Sequence, residues 1–470
     1  KKTDKGFEKI TFSEAYKIIC GKIKEARPDE NAVFAGARLL NEEQYLLQKF
    51  TRTALKTNNI TSFHYEGRGS GYAKLSAHNV PFEQIYDADR VYLVGTEINY
   101  ENPVLGYIIN NARIKKGVKL RVITDSALST MPLKADESIM IKSYYYFIKS
   151  IIYYMLANGL ENKEFIDSKV DGFEIYKSSV LKENFNELLK KSGVFFEKRL
   201  VELADSFINE RKSIVVFSEK HLSSNAAVEL FNLVLISGKL GRHASGIISL
   251  KEKNNSQGLF DMGVSPSMGV GTRDISNDEV FAEHMKKLWK INELPFNYNN
   301  DIFGMLSSGE IKNLFIFGED PLGCALDKDQ IELLLSKAGF MVVQDYFITE
   351  TASKADIILP AALQFETGGS YCNTQKQIIH FGHNAESKIE RSGYEQINDL
   401  MKMFNIKNKT DLANSATMEI AALLRDELPV ESWKKQMLNY TSEDNYMRVF
   451  DYGCDIIVKK FEEEFSELLK

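Results

Sequence analysis

The sequence predicts an α/β fold with parallel sheets, and three observations support that prediction. Short apolar runs alternate with longer helical patterns over most of the 470 residues, as expected for parallel strands joined by helical crossovers. Three of these runs end in glycine or a small polar residue, at Gly95, Gly318 and Asp345, where a parallel strand turns into its loop. The chain is also long enough to bury more than one core, so we expect several domains.

The predicted strands and helices alternate along the chain. Each predicted strand is a short run of apolar and β-branched residues, and each predicted helix repeats apolar residues at a spacing of three or four. The predicted strands are 32–35, 90–94, 120–123, 213–217, 314–317, 341–344 and 357–359. The clearest predicted helices are 12–25, 42–55, 104–116, 143–158, 226–238 and 328–338.

Two further stretches are predicted to be long irregular connections. Residues 65–81 are rich in glycine and serine, and residues 251–273 contain four glycines. Long loops of this kind in compact proteins commonly serve a function, so we expect both to wall a cleft between domains. The tail from 426 to 470 is predicted to be helical, and the sequence assigns it no function.

The most apolar segment of the chain, residues 144–156, is predicted to be a buried helix. It carries Lys149 near its middle, and it is shorter than the ~20 apolar residues that cross a bilayer. We therefore expect no direct membrane span.

Composition and cysteine spacing exclude several classes of partner and cofactor. The net charge of −6 provides no general attraction to nucleic acid. The four cysteines stand far apart without metal-ligand spacing, so we expect no iron-sulfur cluster in this chain and a reducing, cytoplasmic location. The sequence starts without methionine or an apolar signal core, which favours a fragment of a longer polypeptide. The cysteines are Cys20, Cys324, Cys372 and Cys454.

Four blocks of motifs follow one another along the chain. The first block is 12–15, 40–45, 48–52 and 57–60, and the second is 87–96, 102–104, 116–120 and Asp125. The third is 238–246, 254–258, 261–263 and Pro266, and the fourth is 309–312, 318–321, 344–345, 349–352, 355–362, 368–370 and Asn373. In this order the blocks resemble the molybdopterin oxidoreductase family, in particular formate dehydrogenases and the large iron-sulfur subunit of complex I. The resemblance covers about residues 7–425.

The resemblance also implies a domain organisation. Two doubly wound, dinucleotide-binding-like domains of the formate dehydrogenase domain II and III type are expected, one inserted in the other. Residues 7–62 plus 300–425 would form the discontinuous domain and 63–299 the inserted one, with 426–470 as the tail.

The resemblance assigns a set of residues to the family's bis-guanine cofactor, molybdopterin guanine dinucleotide, if this chain retains it. Turn glycines are required at strand ends with or without a nucleotide, so we favour a structural role for them. The assigned residues are Gly95, Thr96, Asn102, Asp125, Asn255, Gly258, Gly263, Gly318, Asp320, Asp345, Thr349, Glu350 and Thr351.

Two residues that the family's chemistry uses are missing. Formate dehydrogenases place a cysteine or selenocysteine metal ligand shortly after the stretch matching 57–60, whereas residues 61–72 contain no cysteine. Ser62 and Ser70 are the remaining candidates, because a serine ligand is known in related reductases. Lys251 stands where an arginine would hold formate, and lysine lacks the bidentate planar fork. Lys251 and His243 are catalytic candidates only if the chain is active; a loop cation and a surface or packed imidazole are the simpler interpretations.

The sequence therefore predicts a molybdopterin-oxidoreductase-like subunit of a multi-subunit electron-transfer complex of the NADH dehydrogenase type, structural and without molybdenum catalysis of its own. The alternative is an active molybdenum or tungsten bis-pterin oxidoreductase, such as a formate dehydrogenase, with an atypical metal ligand. The resemblance implies iron-sulfur and flavin subunits as partners. It leaves open a location at the periphery of the inner membrane as part of a complex.

Overall fold

The computed structural model describes most of the chain. The described residues are 1–65, 78–298, 301–406, 412–424, 435–445, 449–452, 455, 458–460, 463 and 466. The segment predicted to carry a metal ligand lies largely outside them, because Ser70 and its neighbours at 66–77 are not described.

The strands are short, and six of the sixteen in the described part of the chain are buried along their whole length. They are β1 (Lys2–Thr3), β2 (Gly6–Phe7), β3 (Asn31–Ala35), β4 (Ile60–Thr61), β5 (Arg90–Val94), β6 (Lys119–Thr124), β7 (Glu137–Met140), β8 (Val170–Asp171), β9 (Ser213–Ser218), β10 (Gly246–Leu250), β11 (Asn313–Phe317), β12 (Phe340–Asp345), β13 (Ile357–Pro360), β14 (Gly369–Cys372), β15 (Ile378–Phe381) and β16 (Gln436–Met437).

The helices connect these strands. They are α1 (Phe12–Glu25), α2 (Asn41–Thr53), α3 (Ile98–Glu101), α4 (Pro103–Lys116), α5 (Tyr144–Ala157), α6 (Lys163–Lys169), α7 (Phe173–Val180), α8 (Phe185–Ser192), α9 (Glu197–Asn209), α10 (Ser224–Ile236), α11 (Ser256–Asp261), α12 (Glu279–Trp289), α13 (Ile302–Ser307), α14 (Pro321–Cys324), α15 (Lys328–Leu335), α16 (Gln364–Thr367), α17 (Gly393–Lys402) and α18 (Leu412–Leu424).

Two five-stranded parallel sheets organise the fold. Sheet one has the order β13-β12-β11-β3-β4, and sheet two has the order β10-β9-β5-β6-β7. In sheet one β11 pairs directly with β3, so the chain leaves this sheet after β4, builds sheet two, and returns. Apolar cores lie on both faces of each sheet. The predicted α/β class with parallel, doubly wound sheets is confirmed.

The predicted elements agree closely with the observed ones where the apolar pattern is strong. The predictions at 90–94 and 12–25 match β5 and α1 at both ends. At α1 a capping box fixes the start, because Thr11 accepts from the Glu14 N–H and Glu14 accepts from the Thr11 N–H. Within the two five-stranded sheets the prediction missed β4, β7 and β10, and helices such as α8, α9 and α12 were not among those predicted.

Two predictions of irregular or helical structure need correction. The connection at 251–273, predicted to be irregular, contains α11, and its residues 255–258 are buried. In the tail, residues 436–437 form β16 and pair with β8 where helix was predicted. A strand of two residues gives no local signal in the sequence, because β16 is held by its partner strand.

The predicted domain boundaries remain a prediction. Sheet one uses strands from both ends of the chain and sheet two lies between them in sequence. However, Leu259, Met262, Phe281 and Trp289 are buried in the same core as α1 and α2. That packing favours an end of the inserted domain near residue 255 instead of residue 299.

The apolar helix predicted at 143–158 is α5, and most of its residues are buried. Its central Lys149 is fully buried and donates to Glu229 Oε1 at 2.8 Å and to the Tyr145 hydroxyl at 3.2 Å. Glu229, also fully buried, accepts from the Tyr176 hydroxyl at 2.5 Å. A charge inside an apolar helix is tolerated here because it is paired and hydrogen-bonded. In the described part of the chain, no helix is both long and apolar enough to cross a bilayer.

We predict that Lys149→Met lowers the free energy of unfolding by about 3 kcal/mol, because it leaves the Glu229 carboxylate buried without its cation. The matched control is Lys198→Met on α9, because the Lys198 side chain is 86% exposed. We expect this substitution to change the free energy of unfolding by less than about 0.5 kcal/mol. Urea denaturation of both variants measures the difference. Equal effects from the two substitutions would contradict a stabilising role for the buried pair.

Candidate functional site

Loops from the carboxyl edges of both sheets meet in one cleft. Asn255, in the loop after β10, donates from Nδ2 to the Leu39 carbonyl after β3 at 2.7 Å. His64, after β4, lies with Nε2 3.2 Å from Glu219 Oε1, which follows β9. Doubly wound sheets bind ligands outside the carboxyl ends of their strands. This cleft is therefore the candidate site.

A buried ion pair lies on the floor of the cleft. Lys251 Nζ is 3.6 Å from Glu219 Oε2 and donates to Ser249 Oγ at 3.1 Å. The side chains of Lys251 and Glu219 are 2% and 0% exposed. Burial lowers the pKa of Lys251, and the Glu219 carboxylate opposes that effect. Lys251 is thus a buried, paired cation rather than the solvated loop cation that the sequence favoured.

A second buried carboxylate, Glu319, follows β11. It accepts from Ser62 Oγ at 2.6 Å and from the Phe63 N–H at 3.0 Å. Burial raises the pKa of Glu319 to about 7, and the nearby Lys253 ammonium lowers it in part. The hydroxyl of Ser62, one of the two serine candidates for a metal ligand, is committed to this carboxylate.

The three thiols in the described part of the chain are buried and hold their protons in the metal-free protein. A soft metal requires the thiolate form, whereas burial raises the pKa of Cys20 to about 11 and that of Cys324 to about 12. Burial also raises the pKa of Cys372, whose Sγ donates to Asp261 Oδ2 at 2.9 Å. Among the described residues there is no group of three metal-binding side chains. Cys454 lies outside the described residues.

Tyr144 fills the first nucleotide position that the resemblance assigns. Gly95 has φ +57°, and a Cβ there would lie 2.9 Å from both Tyr144 Cζ and Leu222 Cδ1. Asp125 Oδ1 accepts from the Tyr144 hydroxyl at 2.8 Å. Both the assigned glycine and the assigned acid are therefore in contact with the protein's own tyrosine.

Arg38 and Leu39 fill the second nucleotide position. A Cβ on Gly318, whose φ is +64°, would lie 2.9 Å from Leu39 Cδ2. Arg38 donates from Nε to the Gly318 carbonyl at 3.0 Å and from Nη2 to Asp345 Oδ2 at 2.9 Å. The Asp345 side chain is fully buried, and this burial raises its pKa to about 6, against the effect of Arg38.

The remaining assigned residues near sheet one bond within the protein. Asp320 Oδ1 accepts from Thr351 Oγ1 at 2.7 Å and caps α14 through the Gly323 N–H. Thr349 Oγ1 accepts from the Ala352 N–H at 3.1 Å. Glu350 lies on the surface, where Lys328 donates to it at 2.6 Å. These residues stabilise turns and a helix end.

Each sheet forms one unit with the helices that pack on it. The assigned residues of the third block pack these two units together. Asn255 is fully buried and its Oδ1 accepts from the Cys372 N–H at 2.8 Å. A Cβ on Gly258 would lie 2.3 Å from that same Asn255 Oδ1, so only glycine fits. Gly263 has φ +75° and lies against the Gly269 backbone. These contacts explain the residue types without a ligand.

Asn102 and Thr96 lie at the edge of sheet two. Thr96 Oγ1 is 3.5 Å from Glu101 Oε2. Asn102 lines a cavity of about 280 Å³ with Phe82 and Leu250 among its other walls. That volume is below the roughly 300–1,000 Å³ of sites that bind drug-sized molecules. A molybdopterin guanine dinucleotide is larger than a drug-sized molecule, so this cavity is too small for it.

His243 does not join this cleft. It precedes β10 whereas Lys251 follows it, so the five residues of the strand separate them by about 16 Å. His243 Nε2 lies 2.9 Å from Asp87 Oδ2, and its side chain is 59% exposed. The two catalytic candidates named from the sequence are at opposite edges of sheet two.

Several residues that define the cleft were not identified from the sequence. Glu219 and Glu319 each follow a predicted strand within two residues, so their position at a carboxyl edge was available as a signal. Arg38 and Tyr144 gave no such signal, because their partners Asp345 and Asp125 are fixed only by the tertiary packing.

The described residues of the cleft do not fit the bis-guanine pterin cofactor. At both assigned nucleotide positions the space beside the strand-end glycine is occupied by side chains of this chain. On the cleft floor, the described side chains bond to one another through buried ion pairs and hydrogen bonds. We therefore assign no reaction step to such a cofactor here.

Comparisons with known proteins agree on one family. The model of the family described as molybdopterin oxidoreductase matches residues 1–403. The F420-dependent formate dehydrogenase subunit alpha of Methanocaldococcus jannaschii is 31% identical over 80% of this chain and 57% of its own length. The F420-dependent formate dehydrogenase 2 subunit alpha of Methanococcus maripaludis is 29% identical over 90% of this chain and 63% of its own. The chain thus spans about 60% of the length of these relatives.

Two solved structures share the fold. Acetylene hydratase from Pelobacter acetylenicus superposes with a TM-score of 0.63 at 18% identity, over 85% of this chain and 59% of that one. A chain of the formyltransferase/hydrolase complex from Methylorubrum extorquens superposes with a TM-score of 0.50 at 10% identity, over 84% of this chain and 96% of that one. At these identities the likeness concerns the fold alone.

We predict that Glu319→Gln flattens part of the pH dependence of stability. The pKa of Glu319 is about 7 in the folded protein against an ordinary value of 4.5. Between these two pH values the folded protein holds a proton on Glu319 that the unfolded protein has lost. Stability is then greatest below about pH 4.5 and falls as the pH rises to about 7. The neutral amide removes this loss, on the order of 1–3 kcal/mol.

Melting temperatures between pH 4.5 and pH 8 measure the effect. Glu386→Gln, at an exposed position, is the control. Parallel curves for wild type and Glu319→Gln would show that the carboxyl is ionised throughout this range.

Proposed function

The chain belongs to the molybdopterin oxidoreductase family, and we propose that it is a structural subunit of a multi-subunit electron-transfer complex, without molybdenum or tungsten chemistry of its own. The observation that carries this proposal is the filling of both assigned nucleotide positions from within, by Tyr144 at Gly95 and by Arg38 at Asp345. Membership of the family implies a molybdopterin cofactor, and these contacts favour its loss.

The polar floor of the cleft supports the same proposal. Lys251 and His64 both lie against Glu219, and none of these three side chains is more than 2% exposed. An anionic pterin or a substrate carboxylate entering here would have to displace Glu219 from its partners. Separating a buried charge from its partner costs about 3–5 kcal/mol.

The proposed partners are iron-sulfur and flavin subunits, in an assembly of the NADH dehydrogenase type located in the cytoplasm or at the periphery of the inner membrane. The alpha subunits matched in the comparisons are named as parts of formate dehydrogenases, which supports membership in a multi-subunit redox complex. In such a complex this chain would hold its partners in place through its surface.

A second candidate is an active molybdenum or tungsten bis-pterin oxidoreductase, such as a formate dehydrogenase, with an atypical ligand. The matches to the formate dehydrogenase alpha subunits favour it, as does the resemblance of residues 254–266 to the formate dehydrogenase loop beside the metal. Its ligand would have to come from the segment containing Ser70, outside the described residues.

Elemental analysis tests the two proposals. We expect the full chain, purified from cells supplied with molybdate and tungstate, to contain molybdenum and tungsten far below one atom per chain, because its nucleotide positions are filled. The formate dehydrogenase alpha subunit of M. jannaschii, prepared in the same way, is the positive control. Metal near one atom per chain would overturn the structural proposal, and pterin released without metal would show a retained nucleotide.

A further inference from the structure

The C-terminal segment crosses from one sheet unit to the other. The strap, as we call it, comprises the described residues 436–445, 449–452 and 455. At its start Leu438 is buried in the core beside sheet two. Near its end Phe450 is buried in a core beside sheet one. The strap therefore contributes to the cores of both units.

The first half of the strap is fixed to two helices of the sheet-two unit. The Asp444 carboxylate accepts from Ser143 Oγ at 3.0 Å and from Ser223 Oγ at 2.6 Å. These serines are the N-caps of α5 and α10, where a negative charge is stabilising. Asn232 Nδ2 also donates to the Asn439 carbonyl at 2.9 Å. One carboxylate thus joins the amino ends of two helices.

The second half of the strap lies on the carboxyl edge of sheet one. The Leu326 N–H donates to the Val449 carbonyl at 3.0 Å, and the Asp451 N–H donates to the Cys324 carbonyl at 2.8 Å. Asp455 Oδ1 is 3.6 Å from Arg38 Nη1, and its side chain is 6% exposed. Asp455 therefore shares Arg38 with Asp345, the acid that the resemblance assigns to guanosine.

Tyr452 lies between the two units at the cleft floor. Its ring stacks on His64 of the sheet-one unit, with 5.8 Å between ring centroids. Lys253 of the sheet-two unit places Nζ 3.5 Å from the centroid of the same ring. A cation over an aromatic face is attractive, more so when desolvated, and Lys253 is half-buried. Tyr452 thus contacts both units at once.

We propose that the strap takes the place of the dinucleotide cofactor in joining the two units across the cleft, beside the Glu219–His64 and Asn255–Leu39 contacts. Ligands of doubly wound sheets lie outside the carboxyl ends of the strands, and Tyr452 and Asp455 lie there. The inference rests on the proposed function, because a chain that held the cofactor would have its units joined by that ligand.

Hydrogen exchange of the full chain tests the strap. In the wild-type protein we expect the amides of Leu326 and Asp451 to be protected from exchange as strongly as the amides of the neighbouring strands, because their hydrogen bonds close the strap onto sheet one. The double variant Asp444→Ala/Asp455→Ala removes the carboxylate anchor at each end. It should speed exchange of these two amides on the order of tenfold.

The control is Glu443→Ala/Glu463→Ala, which removes two exposed carboxylates from the same tail and should leave exchange unchanged. Exchange in the anchor variant equal to the control would overturn the proposal. So would wild-type amides at Leu326 and Asp451 that exchange as fast as exposed loops, a result that needs no variant to fold. The metal content of the same wild-type sample separates the two proposals. Metal near one atom per chain overturns the proposed function. Unprotected strap amides in a sample without metal overturn only the proposal that the strap joins the units.

Discussion

The interaction of Glu219 with Lys251 and His64 is the constraint on which the arrangement of the cleft depends. Lys251 comes from the neighbouring strand of the same sheet, whereas His64 comes from the other sheet, so one carboxylate joins two units. A buried charge is stable only if its partners stay in place. The carboxyl edges of the two sheets are therefore held close together, and the loops around them have little freedom. Glu319 is a second buried carboxylate, on sheet one, where it accepts from Ser62 and from backbone amides of the same unit.

Two glycines at strand ends keep their turn geometry although the space beside them is occupied by the protein's own side chains. Gly95 and Gly318 still have positive φ and still end their strands, as the turn geometry demands. The space in front of each is filled by a side chain of the same protein, Tyr144 in one unit and Leu39 in the other. The architecture of a nucleotide-binding cleft is thus kept while its contacts are internal, which is the distinction between a fold and the site built on it.

The same principle extends to the end of the chain. Phe450 adds apolar area to the core of sheet one, and Tyr452 shields Lys253 and His64 from solvent. Water excluded from these groups lowers the local dielectric constant, which strengthens the ion pairs beneath them and raises the cost of breaking them. Packing and electrostatics in the cleft therefore support each other.

The sequence by itself determined the local elements and the family. The strand at 90–94 and the helix at 12–25 were predicted at their observed ends, because apolar periodicity and capping residues act over a few positions. Strand β7, at the edge of its sheet and half exposed, gave no such pattern. Only the tertiary structure decided that Arg38 meets Asp345, that His64 meets Glu219, and that Lys251 is buried. These partners are separated by more than 150 residues in the first two cases. Which buried charge pairs with which depends on how the two sheets face each other, and no local pattern in the sequence specifies that geometry.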